Sequence, residues 1–162
     1  MQLAVSVALI VAAVGIVPPG AGWPRVAHEI AAIPMTWRVD QRPPRVPEHK
    51  SCGVVSRGGN VTARLTAAGA GGPPVWSVRV GYHNSPNSLR YLRVGRAYFT
   101  SDQESFRGRE AAEIVTRLKA PGVVAFEWAA RPSHAKRGGL FATGDFAAKA
   151  AMCERWMGGT RA

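Results

Sequence analysis

The chain has 162 residues, a net charge of +11 and a pI near 11.0, and 46% of its residues are hydrophobic. These values fit one globular domain with a sizeable core, and the lack of any period of about 20–50 residues excludes a repeat architecture. The 17 Arg and 4 Lys residues are spread along the chain without a long basic block, and Ala, Gly and Pro are also abundant. This mixture is typical of a GC-rich genome, so the charge is interpreted first as solvated background and only second as a polyanion-binding property.

An apolar run, Leu3 to Val17, dominates the N-terminal region, and the first 22 residues carry no charged side chain. A membrane-spanning helix needs ~20 apolar residues, whereas a signal-peptide core needs about 7 to 15. Prolines and small residues follow at 18–22. We therefore predict a signal peptide over 1–22 and an exported, periplasmic or extracellular protein. The N-terminus lacks Lys and Arg, so an uncleaved membrane anchor formed by residues 3–17 is the alternative.

Residues 23–47 contain several prolines, which exclude a long helix because proline lacks the amide donor and clashes with the preceding turn. We predict a proline-rich arm or linker, part of which contacts the domain through apolar residues such as Trp37 and Val39. The following residues, 48–162, are predicted to form a single α+β domain.

Alternating apolar and polar residues predict strands in the first half of this domain. Cys52 to Ser56 and Val61 to Thr66 flank a glycine-containing turn and predict a hairpin. Val75 to Tyr82 alternates again. Leu89 to Thr100 is predicted as one longer strand, bent at Gly95.

The period then changes to that of a helix, because Ala111, Ile114, Val115 and Leu118 recur on one helical face. Val123 to Ala129 is predicted as a strand.

A basic loop is predicted over 131–139, and Leu140 and Phe141 are assigned to a short strand or turn. A final helix is predicted from Asp145, which suits an N-cap, and Phe146, Cys153 and Met157 share its apolar stripe.

The two cysteines, Cys52 and Cys153, are predicted to form a disulfide. An even cysteine count in an exported chain favours a bridge, and the helical stripe turns Cys153 towards the core. The bridge would tie the C-terminal helix to the first strand and close a loop of about 100 residues, for which the chain-entropy treatment gives ~4.7 kcal/mol. Two buried thiols are the alternative.

Glu127 lies between two aromatic residues in a predicted strand and is a candidate general acid, because apolar surroundings raise a carboxyl pKa. Alternation instead puts Glu127 on the face opposite Phe126 and Trp128, where it can pair with an arginine across the sheet. The second interpretation is preferred.

A set of basic residues is a candidate anion-binding site, with aromatic residues as candidate stacking surfaces. The basic residues are Arg90, Arg93, Arg96, Arg131, Lys136 and Arg137, and the aromatic residues are Tyr91, Tyr98, Trp76 and Trp128. Arg90 and Arg96 share a strand face only if Gly95 keeps the register. Aromatic residues in alternating strands are more often part of a core.

No catalytic, cofactor or metal motif is found. The four histidines lie outside metal-ligand spacing to the cysteines, no serine has a nucleophile-elbow context, and no glycine pair belongs to a phosphate loop. We therefore expect no catalytic residue, no metal and no cofactor.

Together these features predict a small exported bacterial protein of the α+β class. It would have a mostly antiparallel sheet of four to six strands and two helices. The expected function is non-catalytic binding of a partner or envelope component. A hydrolase with a site near Glu127 and His134 is one alternative. Binding of a polyanion or membrane surface through arginines is another, and specific nucleic-acid binding is not expected.

Overall fold

The computed structural model describes residues 36–42, 50–68, 72–81, 88–130 and 135–158. The fold is α+β, as predicted, and the described residues form two helices and eight antiparallel strands in two sheets. The strand number exceeds the predicted four to six because the predicted arm and the predicted basic loop each contribute a strand, and the strand predicted over Leu89 to Thr100 forms two. The predicted signal peptide and most of the predicted arm lie outside the described residues.

The elements follow one another in the order β1–β6, α1, β7, β8, α2. Their bounds are β1 Trp37–Arg42, β2 Ser51–Ser56, β3 Val61–Thr66, β4 Val75–Val80, β5 Arg90–Val94, β6 Ala97–Ser101, α1 Gly108–Lys119, β7 Val123–Ala130, β8 Ala135–Ala142 and α2 Phe146–Gly158.

Sheet 1 is a meander in which each strand pairs with the next, in the order β1-β2-β3-β4. The predicted hairpin is present as β2 and β3, and Gly58 and Gly59 adopt positive φ in its turn, which glycine tolerates because it has no Cβ. β1 comes from the predicted arm, so the sheet begins at Trp37 rather than near residue 48.

Sheet 2 has the strand order β6-β5-β7-β8. The prediction of one bent strand over Leu89 to Thr100 is wrong: β5 and β6 form a hairpin. Gly95 has φ +60° in the turn between them, so the chain reverses there instead of bending. The predicted basic loop is also wrong over 135–139, where the chain forms the first half of β8 and pairs with β7.

Both helices bury the predicted apolar stripes. The buried residues of α1 are Ala111, Ile114, Val115 and Leu118, and those of α2 are Phe146, Ala150, Cys153 and Met157. α1 packs chiefly on β4 and α2 on β1 and β2, so both helices cover the same side of sheet 1. The inner sides of both sheets and both helices share one hydrophobic core.

The predicted disulfide between Cys52 and Cys153 is confirmed, with a Cα–Cα distance of 5.4 Å. Both residues are fully buried. Cys52 lies on β2 rather than on the first strand, because β1 precedes it in the sheet. The bridge therefore holds α2 against an interior strand of sheet 1.

Trp37, at the start of β1, forms hydrogen bonds with the segment between β8 and α2. Its indole N–H donates to the carbonyl oxygen of Thr143 at 2.7 Å, and its backbone N–H donates to Oδ1 of Asp145 at 3.0 Å. Its buried ring meets Phe141 and Phe146 edge-on. Oδ1 of Asp145, the residue before α2, therefore accepts a long-range hydrogen bond.

Candidate binding surfaces

Two tyrosines lie side by side on the outer face of sheet 2. Alternation along β5 turns Leu92 inward and Tyr91 outward, and Tyr98 projects from the same face of β6. The register pairs Tyr91 with Thr100 and Arg93 with Tyr98, so the two tyrosines are diagonal neighbours. Their ring centroids are 5.9 Å apart at an interplanar angle of 33°, and 58% of Tyr98 is exposed.

The same outer surface extends over β7 and β8, where it carries an ion pair. Glu127 of β7 pairs in register with Tyr91, and its Oε1 lies 3.1 Å from Nζ of Lys136 on β8. We call Tyr91, Arg93, Tyr98, Glu127 and Lys136 the tyrosine face. Glu127 does lie opposite Phe126 and Trp128 and pairs across the sheet, although its partner is a lysine.

Neighbouring groups on the tyrosine face shift the pKa values of Lys136 and Tyr98. The hydrogen bond and charge of Glu127 raise the pKa of Lys136. Partial burial, with contributions from Tyr91 and Glu127, raises the pKa of Tyr98. The Tyr98 hydroxyl therefore stays protonated at neutral pH and can both donate and accept a hydrogen bond.

Two glycines allow β8 to lie close to β7. A Cβ on Gly138 would meet the backbone oxygen of Phe126 at 2.6 Å, and one on Gly139 would meet the Phe126 ring at 3.0 Å. The Phe126 ring stacks on Trp128, with centroids 5.6 Å apart. Because Gly139 has no side chain, the Phe126 ring has room to stack on Trp128 at the inner side of the sheet. Because Gly138 has none, the outer face is recessed beside Glu127.

The predicted anion-binding residues are only partly brought together. Arg93 and Lys136 lie on the outer face of sheet 2, and Arg96 is exposed in the β5–β6 turn. Arg137 lies on the opposite face of β8, in register with Trp128. Arg131, like His134, lies outside the described residues.

Arg90 is turned inward and is only 4% exposed. Its guanidinium donates to the carbonyl oxygens of Ser88 and Gln103, while its Nε has no hydrogen-bond partner in the described part of the chain. Burial lowers the pKa of this guanidinium.

Two of the four candidate stacking residues belong to the interior. Trp128 is buried beside Phe126, and Trp76 packs against the core. Only Tyr91 and Tyr98 present rings on the outer face, because they alternate with the buried Leu92 and Phe99.

Sequence reasoning missed a second surface, the outer side of sheet 1. The register aligns three rows across β1 to β4 on the side opposite Cys52, Val54 and the helices. The rows are Arg38-Val55-Thr62-Arg79, Asp40-Gly53-Arg64-Ser77 and Arg42-Ser51-Thr66-Val75. We call Arg38, Asp40, Arg42, Arg64 and Arg79 the arginine face. Alternation within β1, β3 and β4 shows that these residues lie on one side of their own strands. The sequence does not show which strands pair, so it does not bring the residues together.

Arg64 is held flat across the middle row of the arginine face. Its Nη2 lies 2.9 Å from Oδ2 of Asp40, and its Nη1 donates to the Ser51 hydroxyl at 3.1 Å. Gly53 makes this possible, because a Cβ there would lie 3.1 Å from Nη2. The hydrogen bond from Arg64 is the main reason that the pKa of Asp40 is lowered, with Arg42 adding to the effect.

Within the five described ranges, no three His, Cys, Asp or Glu side chains are grouped as metal ligands would be. The described helices include none with the length and apolar character needed to cross a membrane.

Comparison with known proteins adds no family: the sequence matches no protein-family model and no curated protein, and the structure matches no solved structure.

Proposed function

We propose that this protein is exported and non-catalytic, and that it binds a glycan of the cell envelope through the tyrosine face. The observation that carries the proposal is the pair of outward rings, Tyr91 and Tyr98, with centroids 5.9 Å apart. Export is supported by the uncharged apolar run near the N-terminus and by the disulfide, since disulfides persist in oxidising compartments.

The chemistry of the tyrosine face favours a short stretch of a linear polymer. Its five residues lie on four adjacent strands, which span roughly 14 Å. Sugar rings offer flat C–H faces that stack on aromatic rings, and their hydroxyls can bond to the Glu127–Lys136 pair.

Binding of purified bacterial peptidoglycan tests this proposal. The parent should co-sediment with it, and Tyr98→Ala should weaken binding at least about fivefold, if a stacked sugar contributes at least the lower end of the ~1–3 kcal/mol found for a base stacked on an aromatic side chain. Met152→Ala is the matched control, because Met152 is an exposed apolar residue on α2, and it should bind like the parent.

Amide chemical shifts give an independent reading with soluble peptidoglycan fragments. Perturbations should centre on Tyr91, Tyr98 and Glu127. Equal binding by the parent and Tyr98→Ala, or shifts confined to other parts of the surface, would contradict the proposal.

A further inference from the structure

We propose that the arginine face is a docking surface for a membrane rich in anionic lipids. This inference rests on sheet 1 alone and is independent of the tyrosine face. The arginine face carries four arginines and one aspartate, so its own net charge is +3. Glu104 lies at its border, 3.9 Å from Arg79.

The positive charge of the arginine face is only partly neutralised. Asp40 serves both Arg42 and Arg64, and Arg79 lies near Glu104. Arg38 makes no ion pair with another described residue. The helices also carry cations, but these lie on two curved surfaces rather than in the rows of one sheet.

The spacing of these charges fits a surface rather than one small anion. Arg38 and Arg79 stand in the same row on the two outer strands, roughly 14 Å apart across the sheet. Their guanidinium groups therefore contact different anions. The positions between them, Val55 and Thr62, are buried, so the cations that this row offers to a surface are those of the two outer strands.

The composition of the face argues against single-stranded nucleic acid and against a polymer that stacks on aromatic rings. None of its twelve register positions is aromatic, whereas proteins that hold single strands stack bases on aromatic rings. The chain also enters the face through β1, downstream of the apolar run at residues 3–17. A retained anchor would bring Arg38 and Arg42 close to the lipid surface.

Vesicle partitioning of the full chain tests the proposal. The vesicles contain either phosphatidylcholine alone or an equimolar mixture of phosphatidylcholine and phosphatidylglycerol. The apolar run affects both kinds of vesicle, so the ratio of the two partition coefficients isolates the contribution of charge. The parent should prefer the anionic vesicles, and high salt should remove the preference.

Two double variants with equal charge identify the face responsible. Both Arg38→Gln/Arg79→Gln and Arg109→Gln/Arg155→Gln lower the net charge from +11 to +9. The first pair should reduce the ratio about 30-fold, about fivefold per arginine, which corresponds to ~1 kcal/mol for each. The second pair, exposed on the helices, should change it less than about twofold.

Three outcomes would overturn the inference. One is no preference for anionic vesicles, and another is an equal loss in both double variants, which would make the effect one of net charge. The third is binding of soluble dextran sulfate, reduced by Arg38→Gln/Arg79→Gln, without binding of anionic vesicles. Thermal melting of each variant checks that its fold is intact.

Discussion

Removal of the Cys52–Cys153 bridge should cost this protein much of its stability. The cysteines are 101 residues apart, and a loop of that length gives ~4.7 kcal/mol in the chain-entropy treatment. Typical domains are stable by only about 5–15 kcal/mol. A loss of this size corresponds to a fall in melting temperature of about 15–20 °C.

The assay is thermal and urea denaturation of the parent and the Cys52→Ala/Cys153→Ala variant, each with and without reductant. The parent should lose stability on reduction and approach the variant, whereas reductant should leave the variant unchanged. Alanine is preferred to serine because both positions are fully buried, and a buried hydroxyl would add its own penalty. A difference below ~1 kcal/mol between oxidised parent and variant would refute the reasoning, since natural bridges in small secreted domains contribute about 2–5 kcal/mol.

Two further predictions concern single side chains. Gly138→Ala should destabilise the protein by about 1–3 kcal/mol in a urea titration, because its new methyl would collide with the Phe126 backbone oxygen. Gly122→Ala is the control and should be close to neutral, because a Cβ there meets no atom within 4 Å. Asp40 has a lowered pKa in the folded state, so its charge stabilises the fold above the unfolded-state pKa near 3.8, and that contribution is lost as pH falls through the folded-state pKa. Asp40→Asn should therefore flatten the acid limb of a melting-temperature profile below about pH 4, and a profile identical to that of the parent would contradict the role assigned to Arg64.

Local patterns predicted the elements whose cause is local. The β2–β3 hairpin follows from alternation and a glycine turn, and α1 follows from the apolar spacing of Ala111 to Leu118. The sequence also indicated that Cys153 points towards the core, because the residues of one α-helical stripe lie on the same side of the helix. This is why the disulfide could be predicted without knowledge of the sheet.

The missed elements have different causes. Gly95 was recognised as a break, but not as the first residue of a two-residue turn, across which Val94 pairs with Ala97 in a hairpin. The first half of β8 contains Lys136, Arg137 and two glycines, a poor strand by propensity. It becomes one because those glycines accommodate Phe126 of the neighbouring strand.

The candidate surfaces were predictable to different degrees. Tyr91, Tyr98, Glu127 and Lys136 were each singled out, yet their adjacency depends on the registers of three strand pairs. The arginine face was not anticipated, because residues 23–47 were assigned to an arm, and alternation within single strands does not show which strands pair. Residue type indicates what chemistry a side chain can perform, but strand pairing decides which side chains become neighbours.

The ties between the two ends of the chain also govern when this protein can fold. The apolar side of sheet 1 is covered by α2, the last element, through the disulfide and the packing of α2 against β1 and β2. A chain that has been synthesised only as far as β8 exposes Val54 and Leu65 and cannot close its core. Closure of the core then requires α2, and such long-range closure is slow. A chain that remains unfolded until its last helix appears is also one that can be threaded through a translocation channel before it folds.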